Sequence, residues 1–202
     1  MAAMACACLL LSGAATASTA TILVLGDSLS AAYGLPADAG WVSLLQKRLT
    51  AQGFNRVVVN ASISGETSAG GDSRIAGVLA QFHPDIVILE LGANDGLRGL
   101  PVQQMSLHLN SIVARCRAAR SRVLILGMRM PPNYGARYTS EFAQAFSDLA
   151  RTSGSALVPF MLERVAGHAD LIQEDGLHPT AAGQPLILDT VWPQLVALLG
   201  RP

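Results

Sequence analysis

The sequence predicts an α/β protein, a three-layer α/β/α sandwich on a five-stranded parallel sheet of flavodoxin-like order 2-1-3-4-5. Three observations predict it. Short, nearly continuous apolar runs alternate with longer segments of helical apolar spacing. The runs lack the in–out alternation of a half-solvated sheet, so both of their faces are expected to be covered. A turn signal rich in Gly, Pro, Asn, Asp or Ser separates each run from the segment that follows.

Taken in order, the expected strands are Thr21 to Gly26, Arg56 to Ala61, Asp85 to Leu91, Arg122 to Gly127 and Ala156 to Phe160. Between the first two strands, Trp41, Leu44, Leu45 and Leu49 recur at helical spacing, and Ile75, Val78, Leu79 and Phe82 do so between the second and third. Similar patterns run from Val102 to Ala119 and from Ser140 to Arg151, and a last helix is expected from Pro179 towards Leu199. Right-handed crossovers between neighbouring strands place helices on both faces. No repeat or linker divides the chain beyond its leader, so residues 21–202 read as one domain.

The leader is residues 1–20. An apolar, small-residue run from Met4 to Ala15 precedes Ala15-Thr16-Ala17 and Ser18-Thr19-Ala20, which have the small-x-small form a signal peptidase accepts. The expectation is export to the periplasm or medium, with cleavage near Ala17 or Ala20, although the usual basic n-region is missing. The run is too short to span a bilayer, so no stable membrane anchor is expected. Acidic and basic residues are equal in number, 14 each, and scattered, which argues against a nucleic-acid partner. Cys6 and Cys8 lie in the leader and Cys116 stands alone, leaving neither a disulfide framework nor metal-ligand spacing. Cys116 reads as a buried structural thiol. The expected partner is a small, partly apolar molecule bound by a monomer, with no metal and no organic cofactor.

In open α/β sheets, ligands bind at the carboxyl ends of the strands, so the residues just beyond each strand carry most information. Acyl transfer needs a nucleophile, a base, a group that orients the base, and donors for an oxyanion. Ser28 follows the first strand and is the candidate nucleophile, its own N–H facing the same space. His178 is the candidate base. It precedes Pro179, which keeps it out of helical conformation and at the entry of the last helix. Asp175, three residues earlier, can accept from one ring nitrogen and leave the other for Ser28. Gly65 offers an unobstructed backbone N–H after the second strand, and Asn94 a side-chain amide after the third. Singly, Gly65 and Asn94 read as ordinary turn residues. Jointly, four strand ends supply the types that acyl hydrolysis requires.

Gly26-Asp27-Ser28-Leu29, Gly65 within Asn60-Ala61-Ser62-Ile63-Ser64-Gly65, Gly92-Ala93-Asn94-Asp95 and Asp175-Gly176-Leu177-His178-Pro179 resemble, in order and spacing, blocks of the GDSL (SGNH) hydrolases. The resemblance is closest to the periplasmic acyl-CoA thioesterases, lysophospholipases and arylesterases of that family. It implies a Ser28, Asp175 and His178 triad and an oxyanion hole of Ser28, Gly65 and Asn94. The implied substrate is a small-molecule acyl ester or thioester. The loop from Met128 to Tyr138, through Met130, Pro131 and Tyr134, is expected to line or cover the acyl groove, and Arg129 and Arg137 read as solvated side chains, with contact to an anionic head group as the alternative. Glu90 is expected to support the loop carrying Asn94. The alternatives are a short-chain carbohydrate or aryl acetylesterase on the same catalytic residues, and a non-catalytic binding protein on the same fold.

Overall fold

The computed structural model describes residues 20–200. The leader expected at 1–20, with Cys6 and Cys8, lies outside these residues except for Ala20, which opens the first strand. The elements are β1 (Ala20–Gly26), α1 (Trp41–Ala51), β2 (Arg56–Asn60), α2 (Ser68–Phe82), β3 (Ile86–Glu90), α3 (Ala93–Leu97), α4 (Val102–Ala118), β4 (Arg122–Leu126), α5 (Ala136–Ser153), β5 (Ala156–Val158) and α6 (Gln184–Leu199).

The five strands form one parallel sheet in the order β2-β1-β3-β4-β5, as the apolar runs predict. α1 and α6 pack together, and α2, α4 and α5 form a second packed set, giving a layer on each side of the sheet. β3 is buried along its whole length, and Ile86, Val87, Ile88 and Leu89 contribute about 2 kcal/mol each by leaving water. The parallel register pairs Val24 with Asn60 and Gly26 with Glu90, so the carboxyl ends of β2, β1 and β3 lie side by side. Cys116 is fully buried in the core, and burial pushes its thiol up to about 12.

Two local expectations are corrected. The last helix starts at Gln184, not at Pro179. An interior proline is not by itself the obstacle, since α6 carries Pro193; the backbone at 178–180 is taken by the ribbon, the His178 carbonyl accepting from the Gln173 N–H at 2.7 Å and the Thr180 N–H donating to the Leu171 carbonyl at 2.8 Å. Pro185 occupies the first turn of α6, where its missing N–H costs nothing. Pro179 pairs with Ile172 in an isolated antiparallel bridge, so the 172–179 segment is a small ribbon rather than a helix entry. The second correction is α3: the segment after β3, read as a loop, winds into one short helix beginning at Ala93.

Candidate active site

The loop after β1 is tight because its first residue has no side chain. A Cβ on Gly26 would lie 2.7 Å from Glu90 Oε2 and 2.9 Å from Ser30 Oγ, so only glycine lets the strand end approach the carboxyl of β3. Glu90 Oε2 accepts from Ser30 Oγ at 2.7 Å and from the Asp27 N–H at 3.2 Å. Glu90 is fully buried, and its Oε1 has no partner among the described residues. Burial, reinforced by the neighbouring Asp27, holds its carboxyl well above the usual carboxylate range. Glu90 therefore supports the Ser28 loop directly. It reaches Asn94 only through Asp27, which corrects the expectation that it braces the Asn94 loop.

Asp27 is buried as well, and burial raises its carboxyl to about 6 against the opposing pull of its hydrogen bonds. Its Oδ1 accepts from the Leu29 N–H at 3.0 Å, closing a turn around Ser28, and its Oδ2 accepts from Asn94 Nδ2 at 2.9 Å. Ser28 is left half-buried at the apex.

The ribbon between β5 and α6 carries the other two members. His178 Nε2 lies 2.8 Å from Ser28 Oγ, and His178 Nδ1 lies 2.6 Å from Asp175 Oδ2. Asp175 Oδ1 accepts from the N–H groups of Leu177 at 2.9 Å and His178 at 3.0 Å. The His178 N–H first, then the Leu177 N–H and the imidazole, hold the Asp175 carboxyl down at about 2. An ionised Asp175 can only accept, so Nδ1 carries the ring proton and Nε2 is free to take one from Ser28. The Tyr33 ring lies over the imidazole, centroids 4.4 Å apart at 34°.

The expected oxyanion donors border the same cavity as Ser28 and His178. The Ser28 and Gly65 N–H groups have no acceptor among the described residues. Asn94 spends one amide hydrogen on Asp27 and keeps the other. Gly65 sits at φ +79°, a backbone conformation open to glycine, and its carbonyl accepts from Arg98 Nη2 at 2.9 Å. Asp95 accepts from the Ser68 N–H at 2.8 Å and from Ser68 Oγ at 2.6 Å, tying α3 to the start of α2 and so Asn94 to the Gly65 loop.

The cavity measures about 630 Å³, and one wall is made of Met128, Met130, Pro131, Phe160 and Leu162. Met130 and Pro131 thus stand where the sequence places them. Tyr134 is not among the residues that border the cavity: its hydroxyl donates at 3.1 Å to the carbonyl of Leu97, which is. Arg129 lies in the wall with its guanidinium 5.0 Å from the Phe160 ring centroid, whereas Arg137 is paired with Glu141 at 2.8 Å. Sequence reasoning missed Asp27, Tyr33, Ser68, Asp95 and Arg98. Asp27 and Asp95 stand within the quoted motifs, but nothing in the sequence distinguishes Tyr33 or Arg98 from other surface side chains.

The fold and this cleft define a hydrolase of acyl groups, and comparison with known proteins gives the family. Residues 24–186 match the GDSL-like Lipase/Acylhydrolase family, and the chain belongs to it. It is similar to Esterase TesA of Pseudomonas aeruginosa, 50% identical over 183 residues that cover 91% of each chain. It is also similar to the thioesterase 1/protease 1/lysophospholipase of Escherichia coli, 40% identical over 185 residues covering 92% of this chain and 88% of that one. Among solved structures it resembles a psychrotrophic esterase, EstA from Pseudoalteromonas sp., inhibited by monoethylphosphonate. The TM-score is 0.85 at 44% identity, covering 89% of this chain and 98% of the other.

Proposed function

We propose that the protein is a serine esterase and thioesterase that hydrolyses acyl esters and thioesters, including aryl esters, acyl-CoA and lysophospholipids, through an acyl-enzyme on Ser28. The observation that carries this reading is the unbroken line from Asp175 through His178 to Ser28, with links of 2.6 and 2.8 Å, opening beside donors that have no other acceptor. Ser28 Oγ bonds to the acyl carbon while its proton passes to His178 Nε2. The carbonyl oxygen takes up negative charge against the Ser28 and Gly65 N–H groups and the free amide hydrogen of Asn94. The bond to the leaving oxygen or sulfur then breaks, and the proton on His178 goes to the departing alcohol or thiol. Water repeats the sequence on the acyl-enzyme, returning the proton to Ser28. The phosphonate-inhibited esterase among the structural relatives is consistent with this nucleophile.

The methionine- and phenylalanine-lined wall favours medium and longer acyl chains over acetyl, which sets the lipid reading above the acetylesterase one. All five candidate catalytic and oxyanion residues come from one chain, which supports action as a monomer. The small-x-small sequence before β1 supports export; cleavage after Ala17 keeps β1 whole, while cleavage after Ala20 removes the residue paired with Arg56. Among the described residues no helix is long and apolar enough to cross a membrane.

The test compares wild type with Ser28→Ala on p-nitrophenyl esters from acetyl to dodecanoyl, octanoyl-CoA and lysophosphatidylcholine, with fluorophosphonate labelling in parallel. The expected result is labelling and turnover in wild type only, rising from acetyl to octanoyl. Activity retained by Ser28→Ala removes the reading, and a strong acetyl preference favours the acetylesterase.

A further inference from the structure

Ser28 and His178 stand on loops 150 residues apart in sequence, and a 2.8 Å contact between them must be held by something other than itself. Among the described residues, the other side-chain hydrogen bond that joins segment 27–36 to segment 169–180 comes from Gln173. Its Nε2 donates to the Tyr33 carbonyl at 2.9 Å and to the Pro179 carbonyl at 3.0 Å, one on each loop. The backbone of Gln173 is fixed in the same ribbon. Its N–H donates to the His178 carbonyl at 2.7 Å, and its carbonyl accepts from the Gly176 N–H at 3.0 Å.

The facing surface is shaped to receive this amide. Gly34 adopts φ +73°, and a Cβ there would lie 3.2 Å from Gln173 Cδ and 3.3 Å from Nε2, so the position opposite the amide is kept bare. Tyr33 is the residue whose ring covers the imidazole, and its N–H donates to the Ser28 carbonyl at 3.3 Å. Holding the Tyr33 carbonyl therefore sets both the nucleophile turn and the ring above the base.

We propose that Gln173 is a positioning residue that sets the separation of the Ser28 and His178 loops, acting through Tyr33 and Pro179 on the alignment of base and nucleophile. The inference rests on the catalytic reading of Ser28 and His178 given above. Gln173 touches no reacting atom. Its contribution is to turnover, because small misplacements of reacting groups cost up to about 100-fold in rate.

Gln173→Met keeps the length and volume of the side chain and removes both donors, so it is the variant of choice, with Gln173→Asn, too short to reach both carbonyls, as a second. The expected result for Gln173→Met is a kcat about 10- to 100-fold below wild type on p-nitrophenyl butyrate, a KM within about 2-fold, and fluorophosphonate labelling slowed in the same proportion. In a His178→Ala background the same substitution costs much less, because the alignment of base to nucleophile is already lost. A merely structural role would lower thermal stability equally in both backgrounds and leave kcat per folded molecule unchanged. A Gln173→Met enzyme with wild-type kcat overturns the proposal, as does an equal loss of kcat in the His178→Ala background. Wild-type protein that the probe leaves unlabelled overturns the catalytic reading, and this inference with it; indifferent Gln173 variants of a labelled wild type overturn this inference alone.

Discussion

Asn94 donates its side-chain amide to Asp27 at 2.9 Å, so the amide proposed to meet the oxyanion is held by the residue immediately before Ser28. The geometry couples two motifs that the sequence separates by 67 positions. Asn94→Ala is expected to lower kcat by about 100- to 1,000-fold with little change in KM. Asp27→Ala, which frees the amide to rotate, should lower it by about 10-fold or more. The double variant should lose much less than the product of the two, since both act on one donor. Steady-state kinetics on a p-nitrophenyl ester measure all three.

Asp175 is expected to stay ionised wherever the enzyme is folded, because its hydrogen bonds hold it at about 2 against an ordinary 3.8. A carboxyl lowered on folding stabilises the folded state above its unfolded value, and that stabilisation is lost as pH falls through 3.8 towards 2. Asp175→Asn should therefore be less stable than wild type at neutral pH, with the gap closing in that acid window. Its kcat should fall by roughly 1,000- to 10,000-fold, since an amide no longer enforces the required ring tautomer. Urea titrations across pH and kinetics at pH 7 check the two halves.

Glu90 gives the opposite sign. A carboxyl raised on folding contributes stability that is fully present below its ordinary 4.5 and is lost as pH rises towards the folded value. Glu90→Gln, neutral at every pH, should flatten that decline and stay within about 1 kcal/mol of wild type near pH 5. Glu90→Ala strands Ser30 Oγ and the Asp27 N–H and should cost about 2 kcal/mol or more. Denaturant unfolding at several pH values decides between them.

Gly92, at φ +118°, turns the chain from β3 into α3. A Cβ there would lie 3.0 Å from Met105 Sδ and 3.1 Å from Phe146 Cζ, so both backbone and core oppose a side chain. Gly92→Ala should destabilise by about 2–4 kcal/mol and lower kcat by displacing Asn94. Thermal unfolding with kinetics on the folded fraction separates the two effects.

The strands were legible because a strand buried on both faces leaves a continuous apolar run, as Ile86 to Leu89 does. Crossover handedness put helices on both faces but does not choose the strand order, which rested on likeness to the flavodoxin-like arrangement. Ser28, Asp175 and His178 were legible because their chemistry is rare in combination. The start of α6 was misplaced because Pro179 and Pro185 both fit a first helical turn, and choosing between them needs the bonds that His178 and Thr180 make to Gln173 and Leu171, which no local pattern records. Tyr134 was assigned to the cavity from loop position alone, and which way a ring turns depends on a distant acceptor, here the Leu97 carbonyl. Gln173 and Arg98 act on carbonyls of remote segments, and no local pattern records such a pairing.

Because Pro179 closes a bridge with Ile172 and does not start a helix, the imidazole and its carboxylate ride together on one short hairpin. Any excursion of that hairpin withdraws both at once and leaves the serine an unactivated alcohol. Base and orienting carboxylate therefore form one exchangeable cassette, residues 172–179, and are not two independently placed side chains.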